Sequence, residues 1–399
     1  MAENKEKKVL NVPNLRFPEF EGEWEECKLG DVAMVVGGGT PDTNNHKYWN
    51  GDIQWFTPSE IGRDKYVTNS LRTISEEGLN KSSAKLLPIG TILLSSRATV
   101  GECSINKVEC TTNQGFQSLI PKEYFSKEFV FYLMQTKRKE LIRKSCGSTF
   151  LEISANEVRK IKIAVPTSKE QEKISKLLAL LDERISTQNK IIEDLKKLKS
   201  AISKQVFVQI PNEWNRLDTL FSKGKAGGTP TSTNKDYYNG DIPFLSINDI
   251  TKQGKYIKYT ENHLSQSGLE NSSAWIIPKY SLIMSMYASV GLVTINEIPI
   301  ATSQAMFAMQ LKDTNLLDYL YYYLSHFRYR HLYKYIETGT QSNINADTVR
   351  RIMIPNYGHS RNIEIASTLK SIDAKIDNEL SILELLNGQK QYLLRQMFI

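Results

Sequence analysis

Residues 174–206, ISKLLALLDERISTQNKIIEDLKKLKSAISKQV, carry apolar side chains at steps of four and three. The pattern returns 191 positions later at residues 365–397, IASTLKSIDAKIDNELSILELLNGQKQYLLRQM, with no insertion or deletion. The shared apolar positions are Ile174, Leu178, Leu181, Ile185, Ile192 and Leu195, and Ile365, Leu369, Ile372, Ile376, Leu383 and Leu386. An apolar stripe with this spacing needs a partner, and the partner available to each helix is the other copy. We therefore predict two helices of roughly 50 Å that pair antiparallel about a pseudo-twofold axis.

The sequence that precedes each helix is duplicated as well. Gly38-Gly-Thr-Pro41 returns as Gly227-Gly-Thr-Pro230, and Trp24 is predicted to correspond to Trp214. The offset stays between 189 and 191 residues, which a duplication explains and chance does not. The predicted order is a flexible N-terminus (1–14), a first globular domain (15–166), a first helix (167–208), a second globular domain (212–356) and a second helix (360–399).

Within the globular domains, short apolar runs alternate with Gly, Pro and Asn clusters, which is typical of strands and turns. Strands are predicted at residues 32–36, 53–56, 86–87, 91–94, 116–120 and 161–165, and a helix at residues 127–143. Ser168-Lys-Glu-Gln171 matches a capping box that would open the first long helix. The predicted fold class is therefore α+β, with two tandem mixed α/β domains and a pair of long antiparallel coiled-coil helices.

Composition sets broad limits on function. The 399 residues include 51 basic and 44 acidic side chains, a net charge of +7 that suits a DNA or RNA binder but also many cytosolic enzymes. The four cysteines (Cys27, Cys103, Cys110 and Cys146) lie in the first half without a C-x-x-C pair, which favours reduced thiols over zinc or disulfides. Because no apolar run is long enough for a membrane span, we expect a soluble, cytoplasmic protein with no membrane partner.

Polar loops recur at the same place in both domains. A mildly basic protein with a pseudo-twofold axis fits duplex DNA, which presents the same groove about every 34 Å. Hydroxyl, amide and lysine side chains contact phosphates and base edges. The candidates in this loop are Thr40, Thr43, Asn44, Asn45, Lys47 and Tyr48, with counterparts Thr229, Thr231, Ser232, Asn234, Lys235 and Tyr237. The alternative is that these residues only form turns.

Other loops differ between the domains. Ser95-Ser-Arg97 stands where the second domain has Ser285-Met-Tyr287, and Ser59-Glu60 stands where it has Asn248-Asp249. Arginine can donate two hydrogen bonds to guanine, whereas tyrosine cannot. Such divergence is expected of two domains with different targets, and neutral drift at exposed loops is the alternative. The remaining candidates are Ser96, Asn113, Gln114, Ser148 and Thr149, together with Ser303, Gln304, Gln341 and Asn343.

Sequence signatures of catalysis are missing. The chain has no G-x-x-x-x-G-K-[ST] motif and no G-x-G-x-x-G motif. It also lacks the Asn-Pro-Pro-Tyr or Asp-Pro-Pro-Tyr stretch of amino-group DNA methyltransferases. We therefore favour a non-catalytic DNA-binding protein without a cofactor. A self-sufficient methyltransferase or nuclease is one alternative, and a coiled-coil adaptor that binds only proteins is the other.

Several motifs occur in a fixed order along nearly the whole chain. They are Leu15-Arg-Phe-Pro-Glu-Phe20, the Gly-Gly-Thr-Pro turn, Thr91-Ile-Leu-Leu-Ser-Ser-Arg97, Asn113-Gln114, and Glu170-Gln171 followed by Leu181-Asp182. This set resembles the specificity (S) subunits of type I restriction-modification systems. Gly388 departs from the pattern, because a glycine inside the second helix weakens it.

The resemblance implies a non-catalytic subunit with two target recognition domains, each of which recognises one half of a bipartite site in double-stranded DNA. It also implies that the helices set the spacing and bind two methyltransferase (M) subunits, which methylate adenine in each half-site. Restriction (R) subunits, which cut DNA, are expected to join this core. S-adenosylmethionine, ATP and Mg²⁺ are then expected on those partner subunits.

Overall fold

The structure is a computed structural model that describes residues 11–146, 151–332 and 343–399. The chain divides into two compact units. The first unit comprises Met1–Asn189 with Ile382–Ile399, and the second comprises Lys190–Ser381. Both boundaries fall inside long helices, so each unit contains a globular domain and one half of each long helix.

The first unit is a mixed α/β structure. Its strands are β1 (Glu25–Lys28), β2 (Ala33–Gly37), β3 (Trp49–Phe56), β4 (Tyr66–Val67), β5 (Arg72–Ile74), β6 (Ile92–Leu94), β7 (Cys103–Asn106), β8 (Cys110–Thr112), β9 (Gln117–Pro121) and β10 (Lys162–Val165). Its helices are α1 (Leu29–Val32), α2 (Glu76–Asn80), α3 (Lys127–Lys144), α4 (Ala155–Arg159) and the long α5 (Ser168–Phe207), which continues into the second unit. The strands form a five-stranded sheet (β2-β9-β6-β7-β4), a three-stranded sheet (β5-β3-β8) and the pair β1-β10.

The core of the first unit lies between α3 and the five-stranded sheet. Every residue of α3 from Phe129 to Met134 is buried, in one apolar cluster with residues of β6, β7 and β9. Helix α3 begins where the Ser126 hydroxyl accepts a hydrogen bond from the backbone N–H of Phe129 (3.3 Å), and it ends with two basic residues. Both features stabilise helix ends.

The second unit repeats this topology. Its strands are β11 (Glu213–Arg216), β12 (Phe221–Ala226), β13 (Tyr238–Leu245), β14 (Tyr256–Ile257), β15 (Asn262–Leu264), β16 (Leu282–Ser285), β17 (Val293–Asn296), β18 (Ala301–Thr302), β19 (Met306–Leu311) and β20 (Met353–Asn356). Its helices are α6 (Ile247–Gln253), α7 (Gln266–Glu270), α8 (Leu317–Arg330), α9 (Ala346–Arg350) and the long α10 (His359–Gln396), which continues into the first unit. The sheets are β12-β19-β16-β17-β14, β15-β13-β18 and β11-β20, in the same order as in the first unit.

The long helices run antiparallel within the first unit. Glu170, near the start of α5, accepts a hydrogen bond from Nε1 of Trp24 (3.3 Å). The Trp24 ring packs edge-on against Phe398, just beyond the end of α10. Further along α5, Asp182 forms an ion pair with Lys390 of α10 (2.7 Å). Residue numbers therefore rise along α5 as they fall along α10.

The second unit shows the same direction. The hydroxyl of Tyr357, just before α10, donates to the carbonyl of Val206 near the end of α5 (3.1 Å). Lys199, earlier in α5, pairs with Asp373, later in α10 (2.5 Å). The predicted fold class is confirmed, with a duplicated mixed α/β domain and two long antiparallel helices.

The residues that we predicted to pair the helices are all buried or half-buried, whereas Leu180, Leu198 and Leu385 lie on exposed faces. Ile174 and Leu178 also pack into the core of the first unit. Their counterparts Ile365 and Leu369 pack into the core of the second. The apolar stripe therefore contacts the globular domain at the start of each long helix. Helix α10 continues through Gly388, where an added Cβ would meet open space.

The predicted correspondence of Trp24 with Trp214 is wrong. In β1, Glu26 pairs with Ala164, and in β11 Trp214 pairs with Pro355, which is the counterpart of Ala164. Trp214 thus occupies the position of Glu26, and its side chain is 51% exposed whereas that of Trp24 is 2% exposed. Strand register decides the correspondence, and matching one tryptophan to another misplaced it by two residues.

The capping box at the start of α5 is also wrong in detail. Ser168 is already the first helical residue. The Gln171 side chain donates to the carbonyl of Pro166 and accepts from the backbone N–H of Ser126, both at 3.0 Å. The predicted helix start is right. Gln171, however, does not complete a capping box but joins α5 to the start of α3 by its hydrogen bond from Ser126.

Two sequence expectations concern cysteines and membranes. All four cysteines are free, and Cys103 and Cys110 are buried. Among the helices of the described ranges, none is long and apolar enough to cross a membrane.

Candidate nucleic-acid interface

Three loops of the first unit, residues 38–48, 95–101 and 113–116, lie side by side. We call these and their counterparts in the second unit the polar loops. The backbone N–H of Gly39 donates to the carbonyl of Thr112 (2.8 Å), and the Thr40 hydroxyl donates to Oε1 of Gln114 (2.5 Å). Gly38 must be a glycine, because a Cβ there would lie 2.0 Å from the carbonyl oxygen of Asn113. The Gly-Gly-Thr-Pro motif therefore fixes the first polar loop against the third.

The second polar loop carries Arg97. The backbone N–H of Ser96 donates to the carbonyl of Gly115 (2.8 Å), which joins this loop to the third. Nε of Arg97 pairs with Oε1 of Glu152 at 2.9 Å, and the two side chains are 44% and 40% exposed. An ion pair this exposed contributes only about 0.2–1 kcal/mol to stability, so a competing ligand can displace it.

The second unit builds the same framework. The backbone N–H of Gly228 donates to the carbonyl of Thr302 (2.9 Å), and the Thr229 hydroxyl donates to Oε1 of Gln304 (2.5 Å). The N–H of Met286 donates to the carbonyl of Ala305 (2.7 Å). Thr40 and Gln114 thus have counterparts of the same type and geometry.

One pair of bridged residues differs in charge between the two units. In the first unit, Arg97 forms an isolated β-bridge with Glu152, and in the second unit Tyr287 forms the equivalent bridge with Asn343. An exposed cation and anion are therefore replaced by a phenol and an amide at the same positions of the fold. The two units present different hydrogen-bonding groups on the same scaffold.

The sequence-predicted residues fall into groups by exposure. The exposed ones are Thr43, Asn44, Lys47, Ser59, Arg97, Gln114, Thr229, Thr231, Ser232, Lys235, Asn248, Tyr287 and Gln304. The half-buried ones are Thr40, Asn45, Tyr48, Glu60, Asn113, Asn234, Tyr237, Ser303 and Asn343. Ser96, Asp249 and Ser285 are buried, and Ser148, Thr149 and Gln341 lie outside the described residues.

Some of these side chains hold the loops themselves. Asn45 and Asn234 each accept a backbone N–H bond at 3.1 Å and cap a short 3-10 turn. Glu60 accepts from the backbone N–H groups of Thr57 and Leu71 at 2.7 and 2.6 Å. Asp249 makes the equivalent bonds to its own loop while buried. These side chains therefore stabilise the conformation of the loops through internal hydrogen bonds.

Glu152 is a site residue that the sequence analysis missed. It follows Arg97 by more than fifty positions, and no motif contains it. Comparison of the repeats alone would have aligned it with Asn343, but the contact with Arg97 emerges only from the folded structure. Among the described residues, no group of three or more His, Cys, Asp and Glu side chains is placed to hold a metal ion.

The duplicated fold and its paired loops match one protein family. The sequence model described as the type I restriction modification DNA specificity domain matches this chain twice, over residues 21–197 and 211–387. The chain belongs to this family. Each specificity domain, as matched, contains one set of polar loops and most of the long helix that follows it.

Two curated relatives carry related sequences. The specificity subunit of the type I restriction enzyme MjaIX from Methanocaldococcus jannaschii is 32% identical over 254 residues, which cover 58% of this chain and 59% of the relative. The specificity subunit of EcoR124I/EcoR124II from Escherichia coli is 31% identical over 188 residues, 45% of each chain. The chain thus spans about half the length of these relatives.

Solved structures share the fold over nearly the full chain. The S subunit of a type I restriction-modification system from M. genitalium has a TM-score of 0.59 at 15% identity and covers 97% of this chain and 99% of its own. A second solved structure is described as the structural basis of complex assembly and conformational transition of the type I restriction-modification system. It has a TM-score of 0.63 at 17% identity and covers 93% of this chain and 96% of its own. Both likenesses show that this chain has the same fold as these structures.

Proposed function

We propose that this chain is the non-catalytic DNA specificity subunit of a type I restriction-modification complex. Each target recognition domain, the globular part of one unit, contacts one half of a bipartite duplex site through its polar loops. The observation that carries the proposal is the pair of matched loop frameworks that present different side chains, as where Arg97 with Glu152 is replaced by Tyr287 with Asn343. A protein that recognises two different half-sites needs a shared scaffold with different contact groups.

The shared groups are suited to a contact that does not depend on sequence. Because Thr40 donates to Oε1 of Gln114, the amide nitrogen of this exposed side chain remains as a donor. Thr229 and Gln304 repeat the arrangement. An N–H donor present in both domains, whose targets differ, fits the phosphate backbone, since phosphate contacts position a protein without selecting bases.

The divergent groups are suited to base selection. Arg97 carries a guanidinium, which can donate two parallel hydrogen bonds to O6 and N7 of guanine in the major groove. Tyr287 offers a single hydroxyl. We propose that this position distinguishes the two half-sites, and that Glu152 orients Arg97 before DNA binds.

We further propose that the long helices set the half-site spacing and bind two methyltransferase subunits, and that restriction subunits join this core. S-adenosylmethionine would then bind the methyltransferase subunits, and ATP and Mg²⁺ the restriction subunits. Support comes from the relatives, which are specificity subunits of type I restriction enzymes, and from the similar chain studied in complex assembly. Within this chain, α5 and α10 each contribute to both units, as a spacing element should.

Binding to a random duplex library at low salt tests the proposal, with the chain alone and with its methyltransferase subunits. The expected result is a gel shift in the complete complex whose selected sequences contain two conserved segments separated by a constant gap. If neither condition shifts DNA, the chain is a protein-binding coiled-coil adaptor and the proposal is wrong.

A further inference from the structure

A cluster of four polar side chains joins the recognition domain of the first unit to both long helices. Nζ of Lys65 donates to the Tyr132 hydroxyl (2.9 Å), which donates to Oδ2 of Asp182 (2.6 Å). Oδ1 of the same carboxylate pairs with Lys390 (2.7 Å). Lys65 precedes β4 and Tyr132 lies on α3, whereas Asp182 lies on α5 and Lys390 on α10. One carboxylate therefore connects four separate elements.

The second unit contains the same cluster with the long helices exchanged. Nζ of Lys255 lies 3.0 Å from the Tyr322 hydroxyl, which donates to Oδ2 of Asp373 (2.8 Å). Oδ1 of Asp373 pairs with Lys199 (2.5 Å). Here the carboxylate lies on α10 and the second lysine on α5. Asp318 adds ion pairs with Lys255 and Lys370, which the first cluster lacks.

The tyrosines are the link between domain and helix. Tyr132 and Tyr322 are buried, with 0% and 4% of their surface exposed. Burial, and then the hydrogen bond to Asp182 or Asp373, raises the pKa of both phenols well above the usual value, so each keeps its proton to donate. A hydrogen bond to a charged acceptor is stronger and more directional than one between neutral groups. Rotation of the domain about the long helix would break the hydrogen bond from the tyrosine to the aspartate.

We propose that these two clusters fix the rotation of each recognition domain about the long helices, so that Tyr132 and Tyr322 are positioning residues for the spacer length of the DNA target. The inference rests on the proposed function. It assigns a residue-level cause to spacer selection in addition to helix length.

The geometry of DNA explains why rotation matters. One extra base pair between the half-sites moves the second half-site by about 3.4 Å and turns it by about 35° around the duplex. A domain held by charged hydrogen bonds cannot follow this rotation without losing them. Without the cluster, only the apolar contacts of the long helices resist this rotation, and the penalty for the wrong spacer falls.

The test compares two neighbouring buried tyrosines in the complex with the methyltransferase subunits. Tyr322→Phe removes the link to Asp373. Tyr323→Phe is the matched control, because the hydroxyl of the equally buried Tyr323 donates to the carbonyl of Met353 inside the same domain (2.9 Å). Binding is measured on duplexes that carry the selected half-sites at the preferred spacer and at spacers one and two base pairs shorter or longer, and thermal unfolding is recorded for both variants.

Tyr322→Phe should reduce the preference for the native spacer over its one-base-pair neighbours by about tenfold, the value of one hydrogen bond to a charged group. Tyr323→Phe should leave the preference unchanged, and Tyr132→Phe combined with Tyr322→Phe should reduce it further. An unchanged preference in Tyr322→Phe, with a lowered unfolding temperature, would show that the cluster is only structural. If the unsubstituted complex shows no preference for a spaced pair of half-sites, the proposed function itself fails and the inference with it.

Discussion

Arg97 and Tyr287 are exposed residues at corresponding positions of the two duplicated domains that differ in charge and in hydrogen-bonding groups. Each lies in a β-bridge with the residue that changes along with it, Glu152 or Asn343. The change therefore involves a pair of side chains rather than one. The bond that joins this loop to the third polar loop is the same in both units, from Ser96 to Gly115 and from Met286 to Ala305. The difference therefore alters the groups offered to a ligand and keeps the loop in place.

Replacing Arg97 with alanine should relax selectivity at one base pair of one half-site by ~1–3 kcal/mol and leave the other half-site untouched. Binding constants for duplexes with single substitutions in each half-site measure this. Gln114→Ala is the control, since loss of the proposed phosphate contact weakens binding to all sequences alike. Equal weakening on every sequence by Arg97→Ala would make Arg97 a phosphate contact.

The cysteines give a pH-dependent prediction. Burial, then the charges of Asp31 and Glu25, raises the pKa of Cys27 to about 11, and burial raises that of Cys103 and Cys110 to about 12. A raised thiol pKa leaves less thiolate at a given pH, and the thiolate is the species that alkylating agents attack.

At pH 8, iodoacetamide should modify the exposed Cys146 first and Cys27 slowly. The rate at Cys27 should rise about tenfold per pH unit until the pH approaches its pKa. Cys103 and Cys110 should react only when the first unit unfolds. Peptide mass spectrometry over a pH series measures all four, and modification of Cys103 in the folded protein as fast as Cys146 would contradict the described burial.

The sequence identified Arg97 but not its partner. Arg97 is visible as a difference between repeats that otherwise match, and that signal needs no structure. Glu152 becomes significant only through a contact between distant parts of the chain. The buried positions of Ser96, Asp249 and Ser285 were likewise invisible, because small polar residues in loops are common both at surfaces and beneath them.

At the scale of elements, the N-terminal segment around Arg16 makes a contact in the first unit that the second unit does not repeat. Nε and an amino nitrogen of Arg16 donate to the two carboxylate oxygens of Glu170, each at 2.8 Å, and Glu170 is 1% exposed. The second unit has Arg361 at the position of Glu170, so it has no equivalent ion pair. The N-terminal segment therefore binds the start of α5 in the first unit through Arg16 and Glu170.

Arg16→Met should therefore destabilise the first unit by ~3 kcal/mol, because it leaves a buried carboxylate without its cation. The second unit should keep its stability. Lys173→Met is the control, since Lys173 pairs with Glu19 where both side chains are half-exposed, and its loss should cost less than ~1 kcal/mol. Hydrogen exchange followed by peptide resolves the two units, and equal loss of protection in both would contradict the assignment.

The elements themselves were largely predictable. The apolar spacing identified α5 and α10, and five predicted strands overlap β2, β3, β6, β9 and β10. The predicted strand at residues 86–87 is wrong, because Leu87 forms only an isolated bridge with Cys110. The predictions failed where the type of a side chain fits more than one structural role. Gln171 fits a capping box but bonds Pro166 and Ser126, and Trp214 matches Trp24 in type but not in strand register.

At the scale of the whole molecule, two domains of one topology share two continuous helices. The duplication, the order of domains and helices, and the antiparallel direction all followed from the 191-residue repeat. The polar clusters that join each domain to the long helices could not be predicted from the repeat. Lys65, Tyr132, Asp182 and Lys390 are scattered over the chain, and only folding brings them together.

Inserting one heptad into each long helix, after Asn189 and after Ser381, should lengthen the tolerated spacer. A heptad keeps the apolar stripe in phase and adds roughly 10 Å, which is about three base pairs at 3.4 Å each. Selection from a library of spacer lengths measures the change. An insertion into α5 alone is the control and should disrupt the helix pairing, and an unchanged spacer after insertion into both helices would refute the spacing role.

The most direct test of the central claim is a map of methylated adenines in the genomic DNA of cells that carry this chain with its methyltransferase subunits, compared with cells from which the chain has been deleted. The account predicts one asymmetric target with two different short half-sites and a single fixed gap, which disappears on deletion. A continuous or palindromic target, or a methylation pattern that survives deletion, would contradict it.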